Sequence, residues 1–412
     1  MTDQTSEGVV IVGAGLAGVT AATELRRRGY AQKIMLLNAE QDAPYDRPPL
    51  SKDVLSGDRS THDIQLHPAG FYEEKNISLI SGARVSGIDR ESRTLTLLDS
   101  APLRYRHLIL ATGARPRRLA LPESRNLLTR LFYLRDLRDA MGLRGHLAAE
   151  RHLLVVGAGF IGLEVAACAR RLGCRVTVLE GGQRVLERSA SSEVANFVQQ
   201  SHEDNDVSFR FCAQVINVSE DAYSISVHLK DGDVITGDAL LVGIGAIPND
   251  EIARQAGLPC DNGILVDEQC RTADPHVFAI GDVAQCLHTF HGRHVRLEHW
   301  ESARLTGEIA AAAICGAAAV NDSVPWVWSD QYKDNIQFLG WSDTRAQIIV
   351  RGDISAGSWS LIATLDGCVI GAVLINAGRE RRSLERLIKS RTVVDATRLA
   401  DAGTPLKQWV AG

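Results

Sequence analysis

The chain has 412 residues, 45% of them hydrophobic and 23% charged, and a net charge of −5; this length exceeds what one hydrophobic core usually holds, so two or three domains are expected. The acidic balance excludes nucleic acid as the main partner, because neutralising phosphates needs a clustered basic excess. The polar start MTDQTSEG lacks the features of a secretory signal, and the longest apolar run, Ile309 to Val320, is too short to span a bilayer. A cytoplasmic protein with no membrane partner is expected.

The first element in chain order is an apolar strand, VVIVGA, followed by a turn carrying Gly13, Gly15 and Gly18. A helix then reads as VTAATELRRRGY and a second strand as KIMLLNAE, giving a β-α-β order. Each glycine has a physical reason to be there, since Gly13 allows a tight turn, Gly15 lets backbone approach a pyrophosphate, and Gly18 lets helix pack closely on strand. The helix N-terminus then faces the negative phosphates, and Glu40, 22 residues past Gly18, is placed to bind ribose hydroxyls.

The same unit recurs 144 residues later as strand HLLVVGA, glycines 157, 159 and 162, helix LEVAACARRLGC and strand RVTVLE, which ends on Glu180. Two grips of one kind imply two dinucleotides held by one chain. Glu180 accepts from the adenosine ribose and repels a 2′-phosphate, which favours NADH over NADPH, with Arg184 and Arg188 nearby as the opposing charges.

Three further motifs follow in order: LILATGARP (Leu108 to Pro116), VGIGAIPN (Val242 to Asn249) and VFAIGDVA (Val277 to Ala284). Together with the two grips, and with PYDRPPLSKDVL (Pro44 to Leu55), PWVWSDQY and RSLERLI, this set resembles the FAD-dependent pyridine nucleotide reductases. Within them it is similar to the ferredoxin reductase components of bacterial oxygenase systems, the group serving putidaredoxin, rubredoxin and biphenyl dioxygenase.

The resemblance implies an α/β fold of two Rossmann-like, glutathione-reductase-like dinucleotide-binding domains plus a mixed α/β C-terminal domain. It implies an FAD-binding domain formed by residues 1–115 and 247–321, an NAD-binding domain at 116–246 and a C-terminal domain at 322–412. For FAD it points to Gly13, Gly15, Leu16, Ala17, Gly18, Glu40, Arg47, Lys52, Val85, Ala111, Thr112, Gly113, Arg135, Asp282 and Trp300. For NAD it points to Gly157, Gly159, Phe160, Ile161, Gly162, Glu164, Glu180 and Gly245. Members of the family often carry Gly-Asp after the second strand; Asn38 and Ala39 stand here, so the ribose contact passes to Glu40.

Lys52 is the candidate cation beside the flavin, and Glu164, expected in the first turn of the second helix, is the candidate to pair with it. Disulfide reductases of this superfamily place a cysteine pair after the first strand-helix unit, yet no cysteine lies between Glu40 and Gly82. That excludes dithiol chemistry. The eight cysteines also lack any CxxC, so neither a disulfide framework nor an iron-sulfur cluster is expected.

A flavin accepts two electrons together and returns them singly, so the acceptor is expected to be a separate one-electron carrier. The resemblance makes it a [2Fe-2S] ferredoxin feeding an oxygenase, in aromatic hydrocarbon catabolism or a P450 system, and makes the chain a ferredoxin–NAD(+) reductase. Two alternatives stay open: an NADH oxidase using oxygen directly, and a redox-controlled binding protein similar to apoptosis-inducing factor.

Trp326 and Trp328 alternate on one strand face, one expected to be buried and one to meet the ferredoxin. Arg115, Arg117 and Arg118, and the run Arg379 to Arg391, either steer an acidic ferredoxin or form solvated faces. The stretch HTFHGRH, with His288, His291 and His294, reads as a hairpin loop rather than a metal site, and no metal is expected.

Overall fold

In a computed structural model, residues 8–121, 128–289 and 292–409 are described. The chain divides into two compact units, Met1–Asp46 with Gln65–Arg115 and Ile247–Val327, and Arg47–Ile64 with Pro116–Ala246 and Trp328–Gly412.

The first unit is built on a five-stranded parallel sheet. Its centre is β1 (Val9–Val12), which leads through helix α1 (Leu16–Arg27) to β2 (Ile34–Asn38). The order across the sheet is Val277–Ala279, His107–Leu110, β1, β2, Ile77–Ser81. Every pair is parallel, with Val9 opposite both Ile34 and His107. A parallel strand is covered on both faces, so β1 is apolar at each position and buried throughout rather than alternating. Burial of each such Val or Ile side chain contributes about 1.5–3 kcal/mol.

An antiparallel meander, Val85–Asp89, Thr94–Leu97 and Leu103–Arg104, links the outer strand back to His107–Leu110. Helix Trp300–Ile314 packs on α1; a Cβ at Gly307 would stand only 2.7 Å from the Ala17 carbonyl, so glycine there permits the close approach.

The second unit repeats this plan. β3 (His152–Val156), α2 (Phe160–Arg171) and β4 (Arg175–Leu179) are followed by helix α3 (Ser192–Glu203). The sheet order is Val207–Arg210, β4, β3, Ala239–Val242, Leu131–Tyr133, again all parallel. A second meander, Val215–Glu220, Ile225–Leu229 and Val234–Gly237, occupies the place of the first.

The C-terminal part is a five-stranded antiparallel sheet beginning with β5 (Trp326–Gln331), in the order β5, Asp334–Gly340, Cys368–Ile375, Ser358–Leu365, Gln347–Asp353. Helix Arg381–Ser390 lays Leu384, Leu387 and Ile388 into its core, all at 0% exposure. The sheet shares one hydrophobic cluster with α2 and α3, in which Phe160 meets Phe338 edge-on at 5.2 Å and Phe197 meets Trp359 at 5.9 Å. Among the described residues no helix is long and apolar enough to cross a membrane.

Candidate functional site

The two glycine turns are near copies of one another. Gly13 and Gly157 have φ of +112° and +104°, a region glycine enters without steric cost, and a Cβ on either would overlap the carbonyl of Ala111 or Gly243 on the adjacent strand. Gly15 and Gly159 cap the two helices with ψ of −178° and −177°, and a Cβ on either would meet nothing within 4 Å. Gly18 and Gly162 lie against the carbonyls of Gly13 and Gly157, where a Cβ would overlap them.

Both helices start three residues earlier than the sequence reading, at Leu16 and Phe160, and the third glycine of each set lies inside the helix. Neither N-cap supplies a side-chain acceptor, and a Cβ on either cap glycine would enter open space, so there is room in front of each helix start. Open room above an uncapped helix N-terminus suits a pyrophosphate, which the fixed partial positive charge attracts.

The acids that follow differ in detail. Glu180 accepts from the backbone N–H of Ala158 and of Gly182, each at 2.7 Å, and lines a cavity of about 380 Å³ together with Gly157, Gly159, Arg188 and Gly243. Arg184 turns back to donate to the Ala190 carbonyl at 2.8 Å, whereas Arg188 stays at the cavity. In the first unit Glu40 accepts from the Tyr45 hydroxyl at 2.6 Å, and its own N–H donates to Asn38.

Next to the first turn, Thr112 and Asn249 bond reciprocally: the Thr112 hydroxyl donates to the Asn249 carbonyl at 2.7 Å, and the Asn249 amide to the Thr112 carbonyl at 2.9 Å. Ala111 donates to the Val12 carbonyl, and Gly113 takes φ of +68°. Asp282 stands in the short turn Gly281–Val283, whose Gly281 lies against Ala17 of α1, and its carbonyl accepts from Arg296. Trp300 donates from its indole to Asp46 at 2.8 Å, while Val85 opens the first meander. His299, just before Trp300, is held neutral by burial, which pulls its pKa down to about 4 against the opposing pull of Asp282.

Arg47, Lys52 and Arg135 belong to the second unit, where Arg47 donates to the Arg135 carbonyl at 2.6 Å. Gly245, with φ of +112°, accepts from the Arg117 N–H, and Ile161 is 43% exposed.

Lys52 and Glu164 are brought together, with Nζ 3.3 Å from Oε1. Glu164 is 6% exposed, and Ser51 and Ser329 each donate a hydroxyl to it, at 2.5 and 2.7 Å. Burial pushes its carboxyl upward, opposed by the Lys52 ammonium and the two hydroxyls. Because the N-cap is Gly159, Glu164 is the fifth helical residue and not a member of the first turn, so helix polarity does not account for it.

Lys52 also meets Asp330 at 3.0 Å and lies over the Trp328 ring at 5.9 Å. Sequence reading did not single out Ser51, Ser329 and Asp330 as site residues, although they lie within PYDRPPLSKDVL and PWVWSDQY; the alternation of β5 places Ser329 and Gln331 on the face opposite Trp328 and Asp330. Trp326 and Trp328 are both half-buried, where one fully buried ring was expected.

His288 ends the hairpin strand Ala284–His288 and His294 lies within its partner Arg293–Arg296, opposite Leu287, while His291 lies outside the described residues. Among the described residues no group of three metal-ligating side chains occurs. Arg115 is paired with Glu251 at 2.5 Å, and Arg381 with Glu385 at 3.5 Å.

Residues 7–307 match the pyridine nucleotide-disulphide oxidoreductase family, and residues 326–410 match the reductase C-terminal family. The chain is 38% identical to the ferredoxin–NAD(+) reductase component of the anthranilate 1,2-dioxygenase system of Burkholderia cepacia, over 97% of this chain and 98% of that one. It is 37% identical to rhodocoxin reductase of Rhodococcus erythropolis, over 98% and 94%. Among solved structures it superposes on the reductase of the covalent putidaredoxin reductase–putidaredoxin complex with a TM-score of 0.94 at 35% identity, covering 98% of each chain.

Proposed function

The chain belongs to the pyridine nucleotide-disulphide oxidoreductase family, and from that premise we propose that it is an FAD-dependent ferredoxin–NAD(+) reductase. It takes electrons in pairs from NADH and passes them singly to a [2Fe-2S] ferredoxin that serves an oxygenase. The observation that carries this reading is the pair of matching uncapped helix N-termini in one chain, each with an open glycine position in front of it. The names of its relatives point to the same partner class.

On this reading residues 1–115 and 247–321 bind FAD, 116–246 bind NADH and 322–412 form the C-terminal domain. FAD, when bound, supplies the coupling between two-electron and one-electron chemistry. The turn Gly13 to Gly18 and the N–H groups of α1 hold its pyrophosphate, Glu40 its ribose, and Asp282, Thr112, Arg47 and Arg135 the remaining polar groups. The turn Gly157 to Gly162 holds NADH, and Glu180, already fixed by two backbone donors, keeps lone pairs for the ribose hydroxyls.

Lys52 supplies a positive charge at the site of transfer, and Glu164 aims that ammonium. Trp300 is assigned to shield the flavin ring, and one of Trp326 and Trp328 to meet the ferredoxin. The eight unpaired cysteines suit a reducing compartment, and the protein is placed in the cytoplasm.

The test is NADH-driven cytochrome c reduction by the purified yellow protein, with and without a panel of [2Fe-2S] ferredoxins, while oxygen uptake is recorded. A large ferredoxin-dependent increase supports the reductase. Fast oxygen uptake that no ferredoxin alters overturns it in favour of an oxidase.

A further inference from the structure

Glu164 is the end of a longer chain of buried polar groups. Ser329 donates to it at 2.7 Å, Gln331 Nε2 donates to the Ser329 hydroxyl oxygen at 3.0 Å, His202 Nε2 lies 2.9 Å from Gln331 Oε1, and the Tyr332 hydroxyl lies 3.2 Å from His202 Nδ1. Ser329 and His202 are 0% exposed and Gln331 3%, so water does not compete for the three bonds that run from His202 to Glu164.

The donor directions follow from chemistry. An amide nitrogen only donates, so the Ser329 oxygen accepts from Gln331 and has its single proton left for Glu164. An amide oxygen only accepts, so His202 carries its proton on Nε2, and the neutral ring then accepts from Tyr332 at Nδ1. All four bonds thus point the same way, from Tyr332 to the carboxylate. Bonds aligned in series polarise one another, and their combined effect falls on the terminal acceptor.

We propose that His202, acting through Gln331 and Ser329, is a positioning residue that holds Glu164 as the anion that pairs with Lys52. The inference deepens the reductase reading and rests on it for the importance of that pair. It runs against the burial that drives Glu164 toward its neutral form. A protonated His202 would present a donor on both ring nitrogens, so the Tyr332 link to Nδ1 would reverse or break. Burial keeps the ring neutral by drawing its pKa down to about 4.

The charged groups facing Glu164 are Lys52 and, beyond it, Asp330. Around His202 stand Tyr332, with Arg170 near that hydroxyl, and Asp334, which accepts from the neighbouring Ser201.

The test is the ionisation midpoint of Glu164 in the FAD-loaded protein, followed by pH-difference infrared spectroscopy of its carboxyl band. Loss of the band in Glu164→Gln identifies it. Ser329→Ala and His202→Phe are expected to raise the midpoint by about one pH unit, a tenfold change in ionisation. His202→Gln retains a donor toward Gln331 and is expected to stay within a few tenths of a unit of the parent. Gln331→Leu breaks the chain at another link and replaces His202→Phe should that variant fail to fold.

A midpoint that moves in Ser329→Ala but stays at the parent value in His202→Phe or Gln331→Leu overturns the role of His202. Equal shifts in His202→Phe and His202→Gln overturn it as well, because they mark a packing effect. The measurement uses neither NADH nor ferredoxin, so it fails or succeeds apart from the proposed reductase activity.

Discussion

The Glu180 carboxylate and the Ala158 backbone N–H are joined at 2.7 Å, so the acid at the end of β4 is fixed to the glycine turn that begins α2. The second oxygen is fixed by Gly182 at the same distance. A carboxylate immobilised in this way meets the NADH ribose without losing side-chain freedom. Glu180→Ala is expected to raise the KM for NADH by about tenfold, the loss of one charge-assisted hydrogen bond, and to leave that for NADPH little changed. Steady-state kinetics with both nucleotides decides it; an unchanged NADH to NADPH preference would remove Glu180 from ribose recognition.

Gly15 and Gly18 stand three residues apart in α1 and its cap, yet their substitution is expected to fail in different ways. An alanine Cβ at Gly15 or Gly159 enters open space, so Gly15→Ala and Gly159→Ala fold, but the methyl occupies the room assigned to pyrophosphate. Gly15→Ala then purifies as a stable, colourless protein, and Gly159→Ala as a yellow one with weakened NADH binding. Gly18→Ala and Gly162→Ala drive a methyl into the backbone of their own turns and unfold at lower temperature. Flavin absorbance and thermal unfolding of the four variants check this, and a Gly15→Ala protein that keeps its flavin contradicts the assignment.

These turns show what a reader of the sequence can reach. The spacing of Gly13, Gly15 and Gly18 between an apolar strand and a helix is local, and so are the apolar runs that become β1 and β3. The helices start three residues before the sequence suggests because Leu16 and Ala17, between glycines, read as turn although their backbone is already helical. The surroundings of Glu164 were not legible for another reason. Ser51 and Ser329 lie 113 and 165 residues from it in the chain, and no periodicity links residues that only the fold brings together. Lys52 was reached through its motif, whereas Asp330, held 3.0 Å from it, lies in PWVWSDQY, a stretch that reads as a strand and carries no sign of an ion pair with residue 52.

Lys52→Met is expected to slow flavin reduction by NADH by about tenfold or more, since a charge placed ahead of the reaction is lost from a partly buried position. The substitution also leaves Glu164 buried without its cation, which pushes the carboxyl further up. Glu164→Gln keeps the size of the side chain and frees Lys52 to turn toward Asp330, so a smaller slowing is expected. Rapid mixing under anaerobic conditions separates this step from ferredoxin reduction. Rates equal to the parent in both variants would take the pair out of the mechanism.

His202 makes acid stability a readout of the buried network. Its ring is 0% exposed, and burial lowers its pKa to about 4 from an ordinary value of 6.5. A folded-state pKa depressed below the unfolded one means that the unfolded chain binds the proton more readily, so stability is complete above pH 6.5 and falls as the pH drops toward 4. The loss attributable to this one ring is on the order of 3 kcal/mol at pH 4. His107, also drawn down to about 4 by burial, adds a loss in the same window. Thermal unfolding of the parent and of His202→Gln at pH 7 and pH 4.5, with FAD in constant excess, tests the sign and the source, because glutamine keeps the hydrogen bond and has no proton to gain. The parent is expected to lose markedly more stability than the variant across this interval. Equal losses would place the acid sensitivity elsewhere and show that His202 enters the unfolded state with its pKa unchanged.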